Sequence, residues 1–245
     1  MTTVNIVIPM AGLGSRFTKV GYTVPKPFID VLGKPMIQHV IENMKIAGAR
    51  YILIVRKEHL DQYRPALEKL MHGLDHIIIP IDFVTEGQAC TVLLAHRYIN
   101  NNTPMLIVNS DQIIDIDIND MLKDSQARKL DGSILTFYDT DPKWSFAAID
   151  DNGIVTETRE KVPISPHATV GIYFWQRGKD YVECTTDMIV AKDRVNNEFY
   201  ACPVYNYGIK QGLRFGIFEI PMDQMHGTGT PEDLDLYIKI LKSRA

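Results

Sequence analysis

Residues 11–16 read Ala-Gly-Leu-Gly-Ser-Arg, directly after the short apolar run of residues 4–9. Gly12 and Gly14 bracket Leu13, and Ala11 and Ser15 keep both flanks small. Small residues let a ligand approach the backbone and let peptide N–H groups point outward together, an arrangement that suits an oxyanion. Arg16 follows at once, and Lys26 stands a little further on in Val-Pro-Lys-Pro-Phe-Ile, residues 24–29. Two cations beside a glycine loop suit a triphosphate better than a nicotinamide dinucleotide. Asp111 follows the apolar run 105–108 through polar Asn109 and Ser110. A carboxylate there would point into the cleft where the loop holds phosphates, and Mg²⁺ is commonly bound by one or two carboxylates plus substrate phosphates.

Other chemistries lack their residues. A dinucleotide-binding loop wants a third glycine where this chain has Arg16-Phe17, and Gly33-Lys34 is followed by Pro35 rather than the Ser or Thr of a P-loop. There is no GxSxG, no HExxH and no Cys with a His at a recognisable spacing. The lack of a nucleophile is compatible with direct phosphoryl-type transfer, in which positioning and charge neutralisation supply most of the catalysis. Asp115 and Asp117 form a period-2 acidic pair that reads equally as a solvated strand face. Residues 226–233, His-Gly-Thr-Gly-Thr-Pro-Glu-Asp, are a small-residue turn opening a helix, whose start could attract an anion or simply begin the helix.

The elements that must position these residues alternate in the first half of the chain. Apolar runs at 5–9, 51–56, 76–82 and 104–111 read as strands. Helical patterns lie between them: from Pro35 to Gly48, from 58 with Pro65 as a kink or break, and from Ala89 to Ile99. Strands separated by helices of this length predict a parallel α/β sheet. Ligands of such sheets bind outside the carboxyl ends of the strands, where residues 11–16, 85–90 and 109–117 emerge. The second half is strand-rich at 132–139, 146–160 and 167–176, with helices near 178–190 and from Thr230, a plausible cap, to the end. With no linker between the halves, one domain over 1–245 is expected, with a nucleotide-binding half at 1–130 and an acceptor-binding half at 131–245.

The bulk numbers set limits. A net charge of −4 without Lys/Arg-rich runs argues against a nucleic-acid partner. No stretch approaches a membrane span, no basic leader opens the chain, and three widely spaced cysteines, Cys90, Cys184 and Cys202, fit neither a disulfide framework nor a CxxC metal site. A soluble, cytoplasmic protein is expected, with the oligomeric state open and a dimer among the options.

In order, PMAGLGSRF, VPKPFIDVLGKPMI, TEGQACTVL, NSDQ, REKVPISPHATVGIYFW and GTGTPEDL resemble the nucleotidyltransferases that make activated sugars, among them the glucose-1-phosphate thymidylyl- and uridylyltransferases. The resemblance covers roughly residues 4 to 236. It implies a Rossmann-like GT-A fold, a mixed and mostly parallel sheet flanked by helices with a strand-rich acceptor-side lobe. Ala11, Gly12, Leu13, Gly14, Ser15 and Arg16 would then hold a nucleoside triphosphate, with Lys26 on its α-phosphate and Glu86 and Gly87 near the base. Asp111 would bind Mg²⁺ or Mn²⁺. Glu160 would touch the acceptor's hydroxyls, Lys161 its phosphate, and Ala147 and Gly171 would line the acceptor side. Arg16, Lys26 and Lys161 are the implied catalytic residues. The implied reaction condenses an NTP, a pyrimidine one, with a phosphomonoester such as a sugar 1-phosphate, serving surface polysaccharide or capsule precursors.

Three departures bear on the acceptor and the metal. Phe146-Ala147 stands for the family's Tyr-Gly, Glu-Lys-Val for its Glu-Lys-Pro, and Gly227 for its second metal aspartate. Asp115, Glu232 and Asp233 are the candidates to replace that aspartate. The departures open the acceptor to a small phosphorylated alcohol or an amino-acid-derived phosphate. The alternatives are a GT-A glycosyltransferase with a sugar-nucleotide donor, and a regulatory domain that binds a nucleotide without turnover.

Overall fold

The computed structural model describes residues 3–244. Its centre is a nine-stranded mixed sheet. In the N-terminal part Met105–Val108, Asn5–Met10, Arg50–Arg56 and Asp75–Ile81 lie side by side and parallel, so Val7 pairs with both Ile107 and Ile52. The loops after these strands therefore emerge along one edge. The long strand His167–Trp175 joins antiparallel to Met105–Val108 and to Gly132–Tyr138, which in turn pairs parallel with Phe215–Ile220. A hairpin, Ser145–Ile149 with Val155–Glu160, extends the sheet on that side.

The apolar runs are continuous because both faces of these strands are covered. Ile6, Ile8 and Met10 face one core with Leu53, Val55, Leu106 and Val108, under the helices Met36–Asn43, Lys57–Met71 and Pro231–Arg244. Val7, Ile52, Ile54 and Ile107 face the other, under Gln88–Leu93, Gly178–Val190 and Val204–Lys210. The α/β, Rossmann-like class expected from the sequence is the one observed. Asp75–Ile81 closes the sheet at its edge, where exposed Pro80 costs no interior ladder bond.

Several elements differ from their sequence patterns for identifiable reasons. The helix from Met36 stops at Asn43 rather than running to Gly48. The Asn43 amide pairs with both backbone groups of Ile114, and the Tyr51 hydroxyl donates to the Met44 carbonyl at 2.7 Å, so tertiary partners replace the next helical turn. Pro65 breaks nothing: it sits on the exposed side of the single helix Lys57–Met71. The pattern at 89–99 forms two helices, Gln88–Leu93 and His96–Ile99, because Leu94 and Ala95 turn back on the carbonyls three residues earlier. Thr230 does cap the last helix, its Oγ1 accepting from the Asp233 N–H at 3.1 Å. Among the described residues no helix is long and apolar enough to cross a membrane.

Asp117 is a helix cap: its Oδ1 accepts from the Asn119 N–H at 2.9 Å and opens Ile118–Ala127. Asp117→Ala is expected to remove about 1 kcal/mol of stability, read as a fall of ~2–4 °C in melting temperature. Its catalytic parameters should not move.

Candidate active site

The first strand ends where the chain must turn sharply without a side chain in the way. Gly14 takes φ +61° as the residue before the short helix Ser15–Lys19, and a Cβ there would lie 3.3 Å from the Lys26 Cβ. Gly12 has nothing within 4 Å of its Cβ position, so the loop is packed on one side and open on the other. That open side forms a cavity of about 410 Å³, to which Ala11 through Ser15, Lys26, Gly87 and Asp111 all contribute.

Gly87 is held in place by backbone. With φ +121°, a Cβ on it would come within 2.5 Å of the Phe199 carbonyl oxygen. The Phe199 N–H donates to Glu86 O at 2.8 Å and the Ala89 N–H to Phe199 O at 2.9 Å, clamping the loop. Glu86 itself turns outward to Arg194, Nη2 to Oε2 2.5 Å, so its carboxylate is not brought to the cavity. Gln88, Thr85 and Thr91 stand on this side instead.

At the centre of the site the Lys26 Nζ donates to Asp111 Oδ2 at 2.6 Å, with 20% and 17% of the two side chains exposed. The turn before the last helix closes on the same aspartate. Thr228 donates to the Asp111 carbonyl from its N–H and its hydroxyl, at 2.8 and 3.0 Å. A Cβ on Gly229 would sit 3.0 Å from Asp111 Oδ2.

A second cavity, about 250 Å³, lies on the other side of Gln88, Asn109 and Asp111, which line both. Arg16 faces this second cavity rather than the first. Glu160 is 7% exposed and accepts a hydrogen bond from the Ser145 hydroxyl. Burial pushes its carboxyl above the ordinary 4.5, with the Ser145 bond and the nearby Lys161 charge pulling the other way. Lys161 adopts φ +58°, uncommon for a residue with a side chain, its N–H held by the Trp144 carbonyl. Its Nζ donates to the Tyr200 hydroxyl at 2.9 Å, the main cause of its raised pKa, so it is anchored beside the cavity that Tyr200 lines. Gly171, φ +91°, leaves room for the side chains of Asn109 and Gln112.

Ala147 is not brought to this cavity. It is fully buried in the core, and its carbonyl accepts from the Ser165 hydroxyl at 2.7 Å. Ser145, on the same face two residues earlier, and Trp144 before it line the cavity instead. Gln88, Asn109, Gln112 and Tyr200 also line it without having been singled out. Gln112 stood in the quoted NSDQ stretch; Tyr200 carried no local signal.

The candidate metal ligands separate clearly. Asp115 is engaged by His226 at 2.7 Å and by Arg244 at 2.6 Å, which together outweigh its desolvation and lower its pKa. It is therefore committed elsewhere. Asp233 is near the gap at Gly227, with Oδ2 4.0 Å from the Cβ position there, and Glu232 shares its helical turn. Among the described residues no three His, Cys, Asp or Glu side chains come together as a metal-binding group. Burial pushes the Cys202 thiol at the second cavity well up, so it supplies no thiolate nucleophile.

The nucleotidyl transferase family model matches residues 6–198, and the chain belongs to that family. A mannose-1-phosphate guanylyltransferase catalytic subunit beta of Danio rerio is 28% identical over 180 residues, 69% of this chain and 49% of that protein. A glucose-1-phosphate thymidylyltransferase of Xanthomonas campestris is 25% identical over 187 residues, 74% of this chain and 63% of that protein. The match thus spans between about half and just under two thirds of these relatives' length. A nucleoside-diphosphate-sugar pyrophosphorylase from Vibrio cholerae superposes with TM-score 0.82 at 26% identity, over 96% of this chain and 99% of that one. A UDP-glucose pyrophosphorylase gives the same TM-score at 17% identity, a likeness of fold alone.

Because folding raises the Glu160 pKa, its contribution to stability is full below the ordinary value of 4.5 and is lost as pH rises through the raised folded value. Glu160→Gln is therefore expected to melt higher than the parent at neutral pH, the gap closing as pH falls below that ordinary value. Thermal melts at both pH values check this, and a lower melting temperature at neutral pH would contradict it.

Proposed function

We propose that this chain is an enzyme that transfers a nucleotidyl group from an NTP to a phosphomonoester. A phosphomonoester oxygen attacks the α-phosphorus, the new P–O–P link forms, and the bond to the β-phosphate breaks with its electron pair leaving on pyrophosphate. The observation that carries this reading is the meeting of two cavities at Asp111, which Lys26 pairs from the first: one lies under the glycine loop, the other over Glu160. Backbone N–H groups of residues 11–15 and the Lys26 ammonium are suited to the triphosphate. Arg16 and Lys161 bring positive charge to the side from which the second anion would approach, offsetting the repulsion between the two.

Mg²⁺ or Mn²⁺ fits a site of this kind, since the ion needs one or two carboxylates beside phosphate and water. Asp111 would hold it, and when bound it supplies charge neutralisation for the triphosphate. We propose a pyrimidine NTP as donor, from the resemblance to thymidylyl- and uridylyltransferases, and a role in supplying precursors for surface polysaccharide or capsule. The relatives whose names specify guanylyl transfer make the base the first quantity to measure.

Pyrophosphate release from each of the four NTPs against a panel of phosphomonoesters tests the reading; no release from any pair, with no binding of any NTP, would overturn it. Arg16→Ala is expected to lose at least ~2 kcal/mol of transition-state stabilisation, about 30-fold in kcat/KM. Asp111→Asn should abolish turnover at saturating Mg²⁺. Lys161→Ala should raise the acceptor's KM more than the nucleotide's, and the reverse pattern would move that lysine to the other substrate.

A further inference from the structure

We propose that the second cavity selects a phosphomonoester bearing an ammonium group, held by Glu160 and Gln112 at the end remote from its phosphate. The inference rests on the nucleotidyl-transfer reading and narrows its acceptor.

Its starting point is an acceptor atom with nothing to accept. Gln112 is 8% exposed and lines the second cavity, yet its Oε1 is buried without a hydrogen-bond partner. Its backbone is fixed by pairing with Gly227, and Gly171 leaves open the space its amide occupies, a Cβ there falling 3.0 Å from Oε1. Buried polar atoms are paired in the great majority of cases, so an orphan in a cavity wall is a place for a ligand's donor.

Glu160 makes the same demand with charge added. A carboxylate has about four lone-pair sites, and the one described donor to this one is the Ser145 hydroxyl. The adjacent ammonium, Lys161, donates to the Tyr200 hydroxyl, and its charge acts on Glu160 only from a distance. A buried anion is costly unless a cation pairs with it. Trp144, Tyr173 and Tyr200 line the same cavity, and the rings of Trp144 and Tyr200 already carry the Lys143 and Lys161 ammonium groups, each 4.9 Å from a ring centroid.

The remaining charges give the cavity a direction. Arg16 and Lys143 are exposed and stand at its mouth, whereas Glu160, Gln112 and Tyr173 are buried and form its floor. Lys143 also lies 3.4 Å from Asp141 and over the Trp144 ring. Cations at the mouth and hydrogen-bond acceptors at the floor match a zwitterion, phosphate outward and ammonium inward. A hexose would offer hydroxyls to Glu160 and bring no counter-charge. The volume, about 250 Å³, suits a short molecule.

The test compares O-phosphoethanolamine and O-phosphoserine with 2-hydroxyethyl phosphate and glucose 1-phosphate, using the NTP that binds best. An ammonium ester is expected to exceed both hydroxyl compounds at least ~10-fold in kcat/KM, about the discrimination a charge-assisted hydrogen bond provides. Gln112→Leu and Glu160→Gln should each raise the KM of that ester about as much, leaving the nucleotide's KM unchanged. Equal or better use of glucose 1-phosphate or 2-hydroxyethyl phosphate by the unmutated protein would overturn the proposal without needing either variant to fold. Calorimetry of the NTPs alone separates the two levels. If an NTP binds and a hydroxyl compound wins, the acceptor inference fails and nucleotidyl transfer stands; if no NTP binds, both fail.

Discussion

The ion pair between Lys26 and Asp111 ties together three parts of the chain that are far apart in sequence. Lys26 stands against Gly14, at the end of the glycine loop. Asp111 follows the strand Met105–Val108, and its carbonyl and carboxylate are enclosed by Thr228 and Gly229, just before the last helix. Breaking a fully buried pair by removing one partner costs about 3–5 kcal/mol. With roughly a fifth of each side chain in water, that range is an upper bound here. The pair is nonetheless the point at which both cavities and the closing turn are held in register.

The cavities exist because backbone approaches backbone where side chains cannot fit. Gly87 lets residues 86–89 clasp Phe199, which brings the loop after one edge strand against a segment from the second half of the chain. Gly171 falls where the regular pairing of the long strand with Gly132–Tyr138 shifts, between Thr169 and Tyr173, and the side chains of Asn109 and Gln112 lie where a Cβ on it would be. In both places a positive φ and a close contact coincide, so any larger residue faces a steric penalty and a conformational one. The two apolar cores on either face of the sheet make these positions rigid enough for the polar groups to hold their spacing.

The parts of this arrangement visible in the sequence were those whose physics is local. A small-residue loop after an apolar run, a cation beside it and an aspartate after another apolar run are each readable within a few residues. Position along one strand face was not. Ala147 entered through its place in the family's Tyr-Gly pair, and nothing local around 144–149 says that Ser145, two residues earlier on the same face, is the one that lines the cavity. The helix from Met36 read too long because its end is set by Asn43 reaching Ile114, a contact no local periodicity contains. Phe215–Ile220 passed unread for the related reason that its partner strand, Gly132–Tyr138, lies far away in sequence, and Ile118–Ala127 and Val204–Lys210 passed unread beside it. Glu160 and Lys161 entered only through resemblance, since adjacent opposite charges otherwise look like surface residues.

The same ion pair constrains how the proposed reaction could begin. An ammonium has three N–H donors, and the described geometry commits one of those on Lys26 to Asp111. The others remain for an incoming phosphate, so Lys26 need not release the aspartate to receive a nucleotide. Held in this way, the lysine is confined to one position before any substrate arrives, and little of its rotamer freedom remains to be lost on binding. An unpaired lysine on an open loop would have to be ordered by the nucleotide itself. In this account Asp111 orients the cation as well as serving as the proposed metal ligand. Its two oxygens allow both roles, since Oδ2 carries the lysine and Oδ1 remains unassigned to it.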